Sequence, residues 1–204
     1  MNPPIPFYQN FLSIEHAVKP IPYPRCTRPD GAINHGFKPL KGKTPAEIIE
    51  AVPEVALDAR LASLLFDING KNSGLFSVGC VSTDFSLPSG CRVGGYVEFV
   101  INDKRLAQDE IAYFGIFRRF DAQLSPPYFT QRVQFIWKLR GANFVDSGIA
   151  GFSCLVDIYT HDHPDKEAAR DCWNKSLEAL GTCLKEPIYL KSNVVIITNF
   201  DRIY

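Results

Sequence analysis

Residues 131–139 read QRVQFIWKL, and this stretch decides the fold. Val133, Phe135, Trp137 and Leu139 alternate with Arg132, Gln134, Ile136 and Lys138. A period of two sends the two sets to opposite sides of an extended strand. One apolar set against one mixed polar set is the pattern of an antiparallel sheet with a single buried face. The same period recurs on both sides of it. Residues 75–82 form a short strand. Residues 93–101 set Val93, Gly95, Val97, Phe99 and Ile101 against Gly94, Tyr96, Glu98 and Val100. Residues 113–120 read as a third strand. Residues 152–159 follow 131–139, with Phe152, Cys154, Val156 and Ile158 inward, and a last strand is predicted over 188–200.

Helices bracket this region. Thr44-Pro45-Ala46-Glu47 has the form of a capping box with proline in the first turn. Ile48, Val52 and Ala59 continue it at helical spacing, and Pro53 predicts a break into 45–52 and 53–66. A second helix over 165–180 buries Ala169, Cys172, Trp173, Ser176 and Leu180, with Asp162 or His163 as its cap, Pro164 as its first residue and Gly181 closing it. The order is helix, about five strands, helix, strand. That is an α+β fold: a mostly antiparallel sheet of five to six strands with two main helices on one face.

Residues 1–44 differ from the rest. Ten of the fifteen prolines fall within the first 53 residues, which favours extended backbone. Phe7, Tyr8, Phe11 and Leu12 supply apolar anchors that a disordered tail lacks. The segment therefore reads as an arm that docks on its own core or on a neighbouring subunit, ahead of a single α+β domain over 45–204. It carries six Lys/Arg against Glu15 and Asp30, a net of +4, so the remainder carries −4 in a 204-residue chain of zero formal charge. Zero net charge removes bulk attraction to nucleic acid or to a membrane surface. No basic, apolar leader opens the sequence, and the longest purely aliphatic run, 194–197, falls far short of the ~20 residues a bilayer needs. A cytoplasmic protein is expected. Its six cysteines lack any C-x-x-C pair and read as reduced structural thiols.

Candidate chemistry is sparse. His161-Asp162-His163 lies where a strand meets a helix, and imidazoles two residues apart on extended backbone share a face. They are the candidate metal ligands of an enzyme or small-molecule site, although a transition metal needs a third ligand that no spacing selects. The structural alternative is a polar lead-in to the helix. Arg118, Arg119, Arg132, Lys138 and Arg140 fall on two successive predicted strands and the turn after them, where they would line one solvent-facing patch for phosphates or an acidic partner. Ordinary solvation of an outer sheet face explains them as well. The glycines match neither G-x-G-x-x-G nor a P-loop. The stretch 141–151 reads as a mobile strand connection carrying Asp146. No serine sits in a nucleophile elbow. No catalytic residue and no cofactor is expected.

Residues 152–180, FSCLVDIYTHDHPDKEAARDCWNKSLEAL, resemble the central strand–helix unit of bacteriophage tail-terminator and neck-type proteins. There, a strand ending like Asp157-Ile158-Tyr159 runs into an acidic, alanine-containing helix, and a capped helix precedes the sheet, as 44–66 does here. This chain differs in its long Pro-rich arm, its enlarged sheet region and its single strand after the second helix. The resemblance implies a non-enzymatic ring subunit, present in host cytoplasm and virion, whose sheet edges and arm join protein neighbours. It carries over no individual residue. The sequence thus leads to a structural subunit of a homo- or hetero-assembly, with Phe7, Tyr8, Phe11 and the five basic residues as its partner-binding set. The alternatives are a site at His161-Asp162-His163 and a nucleic-acid module on the basic face.

Overall fold

The computed structural model describes residues 8–27, 29, 31, 33–124, 129–187 and 202–204. Their elements are β1 (Tyr8–Ile21), β2 (Cys26–Thr27), β3 (Ile33–Asn34), α1 (Pro45–Ala51), α2 (Ala59–Asn69), β4 (Leu75–Leu87), β5 (Gly90–Ile101), α3 (Glu110–Gln123), β6 (Val133–Phe144), β7 (Ile149–Thr160) and α4 (Lys166–Lys185). The expected strand over 188–200 and the anchor Phe7 lie outside the described residues. The fold is α+β. Five strands form one sheet in the order β1-β6-β7-β5-β4, antiparallel throughout except for β1, which runs parallel to β6. A two-stranded ribbon pairs β2 with β3.

The alternation of β6 places its two faces as its side chains demand. Val133, Phe135, Trp137 and Leu139 are buried, and they join α1, α2, α3 and α4 in one core cluster. Phe120 meets Phe135 edge-on at 4.8 Å, and Phe117 meets Trp137 at 5.8 Å. Burying each such ring contributes on the order of 2 kcal/mol, and this layer holds the helices to the sheet. On the opposite, outward face, Ile21, Phe76, Val78, Val100, Ala142 and Phe144 form a second cluster at one end. The C-terminal residues close it: Asn102 Oδ1 accepts from the Ile203 and Tyr204 amides at 3.1 and 3.0 Å, and Phe76 packs on the Tyr204 ring at 4.9 Å.

The helix starts follow local chemistry. The Thr44 amide donates to Glu47 Oε2 at 2.7 Å while Thr44 Oγ1 accepts from the Glu47 amide, so the capping box forms as its spelling predicts. Pro53 ends α1 and a single 3-10 turn follows before α2. Asp165, rather than Asp162 or His163, caps α4, because only its carboxylate reaches the Ala168 amide, at 2.8 Å. That helix also runs past Gly181. A Cβ there would meet Leu64 at 3.2 Å, so this glycine serves the crossing of α2 and α4 instead of ending the helix.

Two further expectations are overturned. Residues 113–120 are helix, not strand, because Asp109 accepts from the Ile111 amide and Ala112, Tyr113, Ile116 and Phe120 then fall on one buried face. Residues 141–151 are not a mobile connection. They are the end of β6, a four-residue turn and the start of β7, paired from Gly141↔Phe152 to Phe144↔Ile149. Residues 8–21 of the Pro-rich segment pair along nearly all of β6, with one irregularity between Glu15 and Val18.

Candidate functional site

The register of the sheet sorts its outward side chains into rows. Phe11, Ile136, Asp157, Tyr96 and Val81 lie across the five strands in one row, and Ser13, Lys138, Leu155, Glu98 and Gly79 in the next. Charges in and around these rows find each other. Arg140 Nε donates to Glu15 Oε2 at 2.6 Å, and Lys138 Nζ lies 2.7 Å from Asp157 and 3.8 Å from Glu15. Glu98, only 1% exposed, accepts from Lys19 Nζ at 2.6 Å and from Ser153 Oγ at 2.8 Å. Lys19 also lies 4.0 Å over the Tyr23 ring. Three cations meet three carboxylates, so this face is locally neutral.

The five expected basic residues therefore do not form one patch. Lys138 and Arg140 share the outward face and are taken up by Glu15 and Asp157. Arg132 is exposed just before β6, and its carbonyl receives the His161 amide at 3.0 Å. Arg118 and Arg119 sit on α3, on the helix side of the sheet. Arg119 closes the end of α4, donating to the carbonyls of Cys183 at 2.9 Å and Pro187 at 2.7 Å. That is the work of a helix cap, since the last carbonyls of a helix lack partners of their own.

His161-Asp162-His163 fastens the β4–β5 hairpin to the start of α4. His163 and Cys91 exchange backbone hydrogen bonds of 2.9 and 2.8 Å, and Asp162 pairs with Arg92. Gly90, at φ +140°, gives the His163 carbonyl the space a side chain would fill. Among the described residues, no group of three or more His, Cys, Asp or Glu side chains is placed to hold a metal ion. His163 Nε2 is buried without a partner among them, and burial, then Arg132 and His161, lowers its pKa below the usual 6.5. The unfolded chain therefore binds this proton more readily than the native one. Stability is full above pH 6.5 and falls as pH drops through the native pKa. His163→Gln should flatten the fall in melting temperature between pH 7.5 and 5, and an unchanged pH profile would refute this assignment.

The thiols are free, and four of the six are buried. Burial pushes Cys172 up to about 11, which keeps it protonated and unreactive.

The remaining feature is the edge of the sheet. β1 is fourteen residues long, and among the described residues nothing pairs with its outer side. Tyr8 packs inward on Phe129 at 6.0 Å. Phe11 on the outward face is 50% exposed, while Ile14 and Val18, aligned with Leu139 and Gly141, are 54% and 60% exposed. The opposite edge is guarded at its beginning. Lys41 donates to the Leu75 carbonyl at 2.7 Å, Asn69 accepts from the Ser77 amide at 3.1 Å and Tyr23 donates to the Val78 carbonyl at 2.6 Å. Sequence reading found Tyr8 and Phe11 as anchors but missed Ile14 and Val18. Their signal is the apolar content of YQNFLSIEHAVKPI itself, obscured by the prolines on either side.

Comparison with protein-family models, with curated proteins and with solved structures finds no match to this chain. No helix among the described residues is long and apolar enough to cross a membrane.

Proposed function

We propose that this protein is a structural subunit of a protein assembly, joined to its neighbours along β1. The observation that carries this reading is the long edge strand, unpaired on its outer side among the described residues, with apolar side chains on both of its faces. A strand edge presents a row of unsatisfied amides and carbonyls, and soluble proteins guard such edges with charge, proline or a covering element. β4 is guarded at its start by three side chains, whereas β1 offers Phe11, Ile14 and Val18. Strand addition at β1 would satisfy the backbone and cover these side chains together. The resemblance of residues 152–180 to tail-terminator and neck-type proteins adds the kind of assembly: a ring or collar of protein subunits.

The test is mass in solution. Light scattering coupled to size exclusion should give a multimer for the wild type. The double variant Ile14→Lys/Val18→Lys should shift dissociation at least roughly tenfold toward the monomer, since edge lysines oppose pairing, with an unchanged far-UV spectrum. A wild type that stays monomeric at high concentration, alone and with the products of neighbouring genes, would refute the proposal. So would a variant of unchanged mass.

A further inference from the structure

A pocket of about 200 Å³ lies away from the β1 edge, where residues 33–40, the start of β4 and the 3-10 turn Pro53–Val55 meet. Its floor is apolar, built from Leu40, Val52, Val78 and the Cys80 thiol, all buried. Its mouth is charged. Lys38 and His35 come from one wall and Glu54 from the turn. All three are half-buried, and none has a hydrogen bond or ion pair among the described residues.

The wall carrying His35 and Lys38 is held in place. Asn34 Oδ1 accepts from the Gly36 amide at 3.0 Å, and Gly36 adopts φ +78°, where a Cβ would come within 2.8 Å of the Arg25 nitrogen. The Phe37 amide donates to the Tyr23 carbonyl at 3.0 Å, and the Phe37 ring packs on Tyr204 at 5.6 Å. The pocket is therefore formed before any ligand arrives, which lowers the ordering cost of binding.

The geometry points to a binding site for a free apolar α-amino acid. Lys38 and Glu54 stand on separate elements, half-buried and unpaired among the described residues. A zwitterion satisfies both at once, and its apolar side chain covers the floor. A plain carboxylic acid leaves Glu54 without a partner, and a plain amine leaves Lys38 without one. The volume sits below the ~300 Å³ at which drug-sized sites begin, which suits a ligand the size of leucine. Cys80 lines the floor as an apolar group. Burial, with Glu54 and Asp58 beyond it, pushes its thiol up to about 12, so the site holds its ligand without attacking it.

Isothermal titration of the full chain with L-leucine, N-acetyl-L-leucine and L-leucinamide tests this. L-Leucine should bind saturably at one site per chain, and each blocked analogue should bind roughly tenfold more weakly, the scale of one charge-assisted hydrogen bond. Lys38→Met should abolish the preference for leucine over leucinamide. Glu54→Gln should abolish the preference for leucine over N-acetyl-leucine. Both side chains are without structural partners among the described residues, so the variants should fold as the wild type does. The proposal is overturned if none of the three compounds binds at 10 mM on the order of the weakest useful affinities, or if the two variants leave the analogue preferences unchanged.

Discussion

Replacing Asp58 by alanine should cost about 3–5 kcal/mol of folding stability, the range for removing one partner from a buried charged network. Asp58 is 5% exposed and stands where α2, β4 and α4 meet. Oδ1 caps α2 by accepting from the Leu61 amide at 2.9 Å. Oδ2 accepts from Trp173 Nε1 at 2.8 Å, Ser82 Oγ at 2.7 Å and Arg170 Nη1 at 2.9 Å. Losing the cap alone costs about 1 kcal/mol. The larger loss is the orphaned indole N–H of Trp173, which is fully buried and cannot turn to water. Arg170 suffers less, since it keeps Asp84 and is partly solvated. Asp58→Asn keeps a capping oxygen and should lose less than half as much. Urea denaturation of both variants provides the measurement. A loss below about 1 kcal/mol for the alanine variant would show that the network is idle.

The same residue illustrates what a linear reading finds and what it leaves out. The period-two pattern of residues 131–139 places the sheet, its buried face and its partner strand at 152–159 without help from tertiary context. The capping box at Thr44 and the buried stripe of α4 are likewise local, and local signals survive in the folded chain. The helix at 110–123 was hidden because YFGIFRRF is rich in aromatic residues and contains a glycine, a composition that suits a strand. The buried face won, and the cue that could have found it was Asp109 followed by apolar residues at helical spacing. Nothing local announces that Asp58 meets Trp173, or that Glu15 meets Arg140, since both pairs are more than a hundred residues apart. The five basic residues do not gather into one patch for that reason at Lys138 and Arg140, and because Arg118 and Arg119 lie on α3 rather than on a strand. Counting cations along a strand says nothing of the carboxylates that register brings opposite them. The pocket at His35, Lys38 and Glu54 was equally hidden, because its walls come from separate elements. Prolines at 3, 4, 6, 20 and 22 mark residues 1–44 as an extended arm that docks, and they obscure the regular strand within it, which pairs as β1.

Lys19→Met should destabilise the fold by about 2–4 kcal/mol, close to the cost of leaving a buried charge uncompensated, and should weaken assembly as well. Lys19 belongs to the last third of β1, beyond the irregularity at Glu15/Val18, where the strand resumes its pairing with Gly141–Phe144. Its ammonium is the cationic partner of Glu98, whose carboxylate is almost wholly buried on β5, two strands beyond β6. Removing it leaves that carboxylate with one direct partner, the Ser153 hydroxyl at 2.8 Å, and with the Arg140 charge acting on it only at longer range. The double variant Lys19→Met/Glu98→Gln deletes both charges and retains groups of similar size. It should recover most of the loss, because replacing a buried ion pair by neutral groups is often close to neutral in stability. Failure of the double variant to recover would mean that Lys19 acts through its aliphatic stem and its contact with Tyr23, and not through Glu98. The link to the proposed assembly is mechanical. This bond ties the end of β1 to the middle of the sheet, and a frayed β1 presents no straight edge to a neighbour. Lys19→Met should therefore lower the multimer fraction at a given concentration even where the body stays folded, and the double variant should restore it. A multimer fraction unmoved by Lys19→Met, with amide exchange confirming a loosened β1, would place the interface elsewhere on the molecule.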